Sequence, residues 1–438
     1  MQRQVYRQLI EWKKSENRKP LLLQGARQVG KTWIVNHFGK NEYKDYVRIN
    51  FEEDPELKAL FQAKLDPNQI IENLSLYLGK KISHIDTLIF FDEIQISPEA
   101  ISSLKYFYEK APEYHIIAAG SLLGVSLGKT TSFPVGKVNF MTIYPLSFSE
   151  YLYAIDETLI ADKVKQDGGL VALPEILHTK LEEHFKMYLF LGGMPEVVQD
   201  YINQKDIVSV RKIQHEILKS YLMDFSKYTQ PKDAIKLVEV WKSIPFQLAK
   251  ENNKFKFGDV KHKSRAIHYE ETIEWLRSAG LIEVVCQLRD IKLPIGGYAD
   301  HSKFKIYLLD TGLLGAMLGL TSDIIIQPDA LFREYNGAFI ENYVCCELKR
   351  LFEQDLYYWA SEREAEVDFI IQYKNEIMPM EVKSGTNRNT KGLRVFEDRY
   401  KPKQLIRISP RNLIVSGNFT NIPLYSTYAI ENVFNKEI

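Results

Sequence analysis

With 438 residues and 57 basic side chains against 57 acidic ones, the chain has room for two or three cored domains. It carries no net field to draw it to nucleic acid or to an anionic membrane, so any basic footprint must be local. Apolar residues at 45% and charged residues at 26% are the fractions expected of an ordinary soluble protein. The three cysteines, Cys286, Cys345 and Cys346, suit neither a disulfide framework nor a zinc site, and a reducing cytoplasm is the expected location. Met1 to Lys19 is polar, and no apolar run is long enough to span a bilayer, so no membrane association is expected.

In chain order, Val5, Leu9, Ile10 and Trp12 give a short amphipathic helix. Pro20 then leads into a buried strand, Leu21-Leu22-Leu23-Gln24, and the sequence Gly25-Ala26-Arg27-Gln28-Val29-Gly30-Lys31-Thr32 follows. This is G-x-x-x-x-G-K-T, the Walker A pattern. Gly25 and Gly30 let the backbone turn its N–H groups toward phosphate oxygens, Lys31 reaches the β- and γ-phosphates, and the Thr32 hydroxyl is suited to Mg²⁺. Trp33, Ile34, Val35 and Phe38 read as the apolar side of the following helix, whose N-terminus favours anions. Residues 25–33 are therefore the expected ATP-binding segment.

Tyr46 to Phe51 alternates as a second strand, and Ile70 to Leu78 is helical. Thr87 to Phe91 is an apolar run ending in Asp92-Glu93, the Walker B pattern. Asp92 is expected to hold Mg²⁺ and Glu93 to polarise the attacking water. Ser97-Pro98 starts a helix. His115 to Ala119 is a buried strand ending at Gly120-Ser121. Ser121 either contacts the γ-phosphate or closes a structural turn. Val138 to Tyr144 is a fifth strand. Strands alternating with helices imply a mostly parallel sheet covered on both faces.

Glu150 to Tyr228 is largely helical, broken at Asp167-Gly168-Gly169 and Gly192-Gly193-Met194-Pro195, and Val238 to Leu248 is a further helix. The stretch to Leu314 reads as a winged helix: helices opening at Phe257 and His268, then wing strands at Leu281–Val285 and Lys305–Leu309. Lys250, Lys254, Lys256, Lys261, His262, Lys263 and Arg265 crowd before the second of these helices. They form either a phosphate-binding footprint for DNA or RNA or a solvated basic loop. Three glutamates on the helix itself argue against base reading. Pro328 to Glu334 reads as a linker, and Phe339 to Phe352 as a helix.

Gly25–Thr32, Phe91-Asp-Glu-Ile-Gln95, Gly120-Ser121, Tyr144-Pro-Leu-Ser-Phe-Ser-Glu-Tyr151 and Gly192-Gly-Met-Pro-Glu196 together resemble bacterial and archaeal AAA-superfamily ATPases with a C-terminal domain of unknown function. The resemblance implies an α/β architecture in four parts. These are a P-loop NTPase core of ASCE/AAA type at 1–149, a helical lid at 150–230, a winged helix at 231–327 and a PD-(D/E)xK nuclease-like domain at 328–438. Relatives often carry Gly-Arg before the last core strand. Here the pair is Gly136-Lys137, and lysine lacks the bidentate fork of an arginine finger.

In the last part, Glu341 lies on a helix, Asp368 in the strand Glu366–Tyr373, and Glu381-Val382-Lys383 closes the next strand. An acid followed by E-x-K resembles the PD-(D/E)xK core. There Glu341, Asp368 and Glu381 would hold Mg²⁺ and Lys383 would orient or activate water. The alternative is a nuclease-like fold kept as a binding platform. With Lys374-Asn375 as a two-residue turn, Asp368 faces Glu381 and Glu366 faces Lys383, so all four project from one face. The expected function is ATP hydrolysis coupled to nucleic-acid binding or processing. The alternatives are a nucleotide-dependent switch whose C-terminal half only binds partners, and an ATP-gated nuclease. Oligomeric state, a homo-oligomer included, stays open.

Overall fold

The computed structural model describes residues 2–62, 65–121, 133–167, 169–250, 254–261, 265–320, 332–362, 365–385 and 391–435, with side chains in the last long helix described from 337 onward. His262 and Lys263 of the basic cluster, Gly168 of the Asp167 turn and Pro328–Leu331 of the expected linker lie outside these residues. The chain divides into two compact units. One is Gln2–Tyr144 with Ser278–Leu281, and the other is Pro145–Arg277 with Ile282–Ile438.

The first unit is built on five parallel strands: β1 (Leu21–Gln24), β2 (Asp45–Asn50), β3 (Thr87–Asp92), β4 (His115–Ala119) and β5 (Asn139–Thr142), in the order β2-β3-β4-β1-β5. Every residue of β3 is buried, as a central strand with both faces covered requires. Ile89 and Phe91 pack with Ile49, Phe51, Ile101, Leu104 and Phe107, so the helices Pro67–Leu78 and Pro98–Lys110 share their core. Leu88 and Phe90 alternate with them and face away. The helix Lys31–Glu42 packs against β2, β3 and β4 through buried Ile34, Val35 and Phe38. Trp33 departs from the expected apolar side and is 47% exposed. It sits about 100° round the helix from Ile34 and stacks on His37 with ring centroids 5.1 Å apart.

In the second unit the helices Phe148–Ala154, Glu175–Leu191, Pro195–Gln204, Ile207–Tyr228 and Pro231–Leu248 precede an eight-stranded mixed sheet. Two of the quoted motifs have local structural roles here. Ser147 and Glu150 form a reciprocal capping box at the helix Phe148–Ala154. The buried Asp310 carboxylate accepts a hydrogen bond from Gly193 N–H at 2.6 Å while capping the helix Thr311–Met317 through Leu313 N–H at 2.9 Å.

The sheet runs β12 (Ile414–Ser416), β13 (Phe419–Pro423), β11 (Leu405–Ser409), β10 (Glu376–Val382), β9 (Glu366–Tyr373), β8 (Tyr357–Ala360), β6 (Ile282–Leu288) and β7 (Ala299–Leu308). β6 and β7 form the antiparallel hairpin expected of a wing, but β6 also pairs in parallel with β8, Cys286 opposite Tyr357. The strands read as a wing are thus the edge of the same sheet as β9 and β10. The short helices Phe257–Val260 and Glu270–Ser278 precede this hairpin as the sequence implies. The β9–β10 register also follows the sequence reading over the paired residues: Tyr373 pairs with Glu376 and Phe369 with Met380.

Candidate nucleotide site

β1, β3 and β4 are parallel neighbours, or one strand apart, so their C-terminal ends meet at one edge of the sheet. The Walker A loop leaves β1 there, Asp92 ends β3, and Ser121 follows β4, buried at 7% exposure. Gly25 is required by contact: its φ is +134°, and a Cβ would lie 2.2 Å from the Ile143 carbonyl oxygen. Gly30 takes the left-handed conformation that starts the helix Lys31–Glu42.

Lys31 is buried, and its Nζ donates to the carbonyl oxygens of Gly25 (2.8 Å) and Ala26 (2.7 Å). Burial pushes its ammonium down to about 8, against the pull of Glu93 and Asp92. Thr32 Oγ1 lies 3.2 Å from Asp92 Oδ2 and 3.3 Å from Oδ1. A hydroxyl beside a carboxylate, under a glycine-rich loop, is a donor set that fits Mg²⁺ held jointly with phosphate oxygens.

Two residues of this site have no role in the sequence reading. Arg48 on β2 holds Asp92 Oδ2 at 2.9 Å and also reaches Glu53. The signal for it is the alternation of β2, which places Arg48 and Asn50 on one face beside the end of β3. Gln95 Nε2 donates to Glu93 Oε2 at 2.5 Å, and Glu93 itself stands in the left-handed region with φ of 51°. Lys137 pairs with Glu109 at 3.2 Å.

The expected metal residues of the second unit are arranged differently. Lys305, on β7 and 1% exposed, sits among carboxylates: Glu366 at 2.5 Å, Glu341 at 3.6 Å and Asp368 at 3.9 Å. Tyr307 donates to Glu341 at 3.0 Å, Val382 N–H donates to Asp368 at 2.7 Å, and Lys383 pairs with Glu381 at 2.9 Å. Burial, then the Glu341 carboxylate, pushes Asp368 up to about 8 while Lys305 pulls it down. Among the described residues no three His, Cys, Asp or Glu side chains form a group able to hold a metal ion. Glu341, Asp368 and Glu381 do not fit as a three-carboxylate metal cage, because each is turned to an ammonium: Glu341 and Asp368 to Lys305, and Glu381 to Lys383.

The basic cluster is partly compensated from within its own unit. Lys250 pairs with Asp259 at 2.8 Å, Lys261 with Glu239 at 3.3 Å and Lys254 with Glu366 at 3.9 Å, whereas Lys256 and Arg265 are exposed.

Residues 17–152 match the family model of an AAA domain, residues 182–324 a domain of unknown function (DUF8612), and residues 336–427 a second domain of unknown function (DUF4143). Sheet, loop and motifs agree with the first match: residues 17–152 are an AAA-type domain with a P-loop. No curated protein matches it. Among solved structures it is similar to the Walker-type ATPase PABY2304 of Pyrococcus abyssi, with 16% identity and a TM-score of 0.45 over 72% of this chain and 94% of that one. It is also similar to the Orc1 protein of Aeropyrum pernix in complex with DNA (12%, 0.29, 74% and 92%). A third likeness is to AMPPCP-bound DnaA from Aquifex aeolicus (14%, 0.26, 59% and 82%). At TM-scores below 0.5 these likenesses carry no functional weight for this chain. Among the described residues no helix is long and apolar enough to cross a membrane.

Proposed function

We propose that the chain binds and hydrolyses ATP at the edge formed by β1, β3 and β4, and uses the cycle as a switch. One observation carries this reading: the Thr32 hydroxyl stands 3.2 Å from the Asp92 carboxylate at the end of a Walker A loop. The backbone N–H groups of residues 25–32 cradle the phosphates, Lys31 neutralises the β- and γ-phosphates, and Thr32 with Asp92 holds Mg²⁺. When bound, Mg²⁺ supplies charge neutralisation at the transferring phosphoryl group. Glu93 orients the attacking water. Gln95 fixes the Glu93 carboxylate, Arg48 fixes that of Asp92, and Ser121 lies within the same edge to meet the γ-phosphate.

The switch acts on nucleic-acid backbone through the basic segment that includes Lys256 and Arg265, without base reading. A second reading, a switch that engages only protein partners, is favoured by the ion pairs of Lys250, Lys254 and Lys261, which spend cationic charge internally. ATP turnover by the purified protein, with and without DNA and with the DNA inspected for cuts, tests both. Turnover stimulated by DNA supports the first reading, turnover indifferent to DNA supports the second, and no turnover overturns the ATPase itself.

A further inference from the structure

The E-x-K pattern of β10 implies a divalent metal, and the residues around it answer with a lysine from another strand. We propose that Lys305 is the resident counter-cation of this carboxylate cluster, standing where a metal would otherwise be held, so that the site keeps its fold and charge without one. Nothing in this arrangement depends on the nucleotide site.

The geometry carries it in three steps. First, Lys305 arrives from β7, the far edge of the sheet, and its Nζ is within 4.0 Å of Glu341, Glu366 and Asp368. A lysine 1% exposed loses nearly all its hydration, and such a charge persists only when several partners replace the water. The Glu366 and Glu341 carboxylates do so here, with Asp368 beside them, which makes the ammonium part of the built structure rather than a surface group that swings aside. Second, each carboxylate of the cluster already has a cation within 4.0 Å, the fourth pair being Lys383 with Glu381 at 2.9 Å. Asp368 spends one oxygen on Val382 N–H, and Glu341 accepts from Tyr307. Third, Glu381 Oε2 is the oxygen of this cluster that is buried without a hydrogen-bond partner. One such oxygen is one ligand, whereas Mg²⁺ and Mn²⁺ take about six. A cation brought beside Lys305 would meet repulsion in a setting of low dielectric, where like charges are least screened.

Direct Mn²⁺ binding decides the matter, read by electron paramagnetic resonance on full-length protein without nucleotide. Metal at a P-loop is held largely through phosphate oxygens, so leaving out nucleotide silences that site. Wild type and Glu381→Gln are expected to bind the same number of Mn²⁺ ions. Lys305→Met removes the ammonium and leaves three carboxylates together. It is expected to gain about one Mn²⁺ per chain, and Lys305→Met with Asp368→Asn is expected to lose it again. If wild type binds a Mn²⁺ that Glu381→Gln loses, the proposal is overturned. A folded Lys305→Met protein that takes up no additional Mn²⁺ overturns it as well. Should Lys305→Met fail to fold, the comparison of wild type with Glu381→Gln decides alone. A failure of ATP turnover leaves all of these readings unchanged, and the two proposals are thereby separable.

Discussion

Glu93 is held from two sides: its backbone is in the left-handed region, and its carboxylate takes a hydrogen bond from Gln95. A non-glycine residue with that backbone is strained by about 1–3 kcal/mol and persists only where the surroundings impose it. Glu93→Gln keeps size and shape and removes the charge that polarises water. Nucleotide affinity is expected to hold while turnover falls by roughly 10²–10⁴, and unchanged single-turnover rates would remove Glu93 from the reaction. Asp310 gives a prediction in pH. Burial pushes its carboxyl up to about 6 despite hydrogen bonds from Gly193 and Leu313. The folded state then holds more protons than the unfolded one from about pH 4 to pH 6, so stability from this group is full below that window and is lost as pH rises through it. Asp310→Asn cannot ionise. Relative to wild type it is expected to gain up to about 3 kcal/mol between pH 4 and pH 7, read from denaturant midpoints, and parallel profiles would rule the assignment out. At this scale Walker A and B are legible in the sequence because their spacing is local. Arg48 and Gln95 are not, because their roles depend on which strand lies beside β3 and on how a turn folds back.

At the scale of elements, the β9–β10 hairpin can be read from sequence because a two-residue turn fixes the sum of opposed residue numbers. Lys305 cannot. Its strand reaches the cluster through the parallel pairing of β6 with β8, across about seventy residues of chain, and no local pattern encodes that contact. The same pairing explains why a hairpin that looks like a wing is a sheet edge. The basic segment is the element on which the nucleic-acid reading stands or falls. Among its described residues, Lys256 and Arg265 are exposed cations outside the ion pairs of Lys250, Lys254 and Lys261, so they are the ones to neutralise. Lys256→Ala with Arg265→Ala is expected to weaken binding about equally for unrelated DNA sequences and to lower the salt slope by about 2. Binding that is unaffected by the pair, or absent from wild type at low salt, would leave the segment as a partner-contact or packing element.

At the scale of the whole chain, the turn Ser278–Leu281 has the most consequence. It groups with the ATPase unit. The point of approach is Gly280, whose φ is +71° and where a Cβ would stand 3.2 Å from Ala26 N. Ala26 N–H belongs to the loop expected to cradle phosphate, and a loop whose amides must converge on an anion has little freedom to retreat. Gly280→Val adds a β-branched side chain against that backbone and also strains the turn. Gly319 separates the two effects: its φ is +69°, and among the described residues no atom lies within 4 Å of the place a Cβ would take. Gly319→Val therefore carries the backbone strain without the crowding. Both variants are expected to lose stability by about 1–3 kcal/mol. Only Gly280→Val is expected to lose ATP affinity, by about tenfold or more, equivalent to about 1.4 kcal/mol. Titration of a fluorescent ATP analogue into the two proteins reads the difference. Equal affinities would mean that the turn merely rests against the nucleotide loop, whereas a loss confined to Gly280→Val would make residue 280, some 250 positions from the Walker motif, part of the nucleotide site.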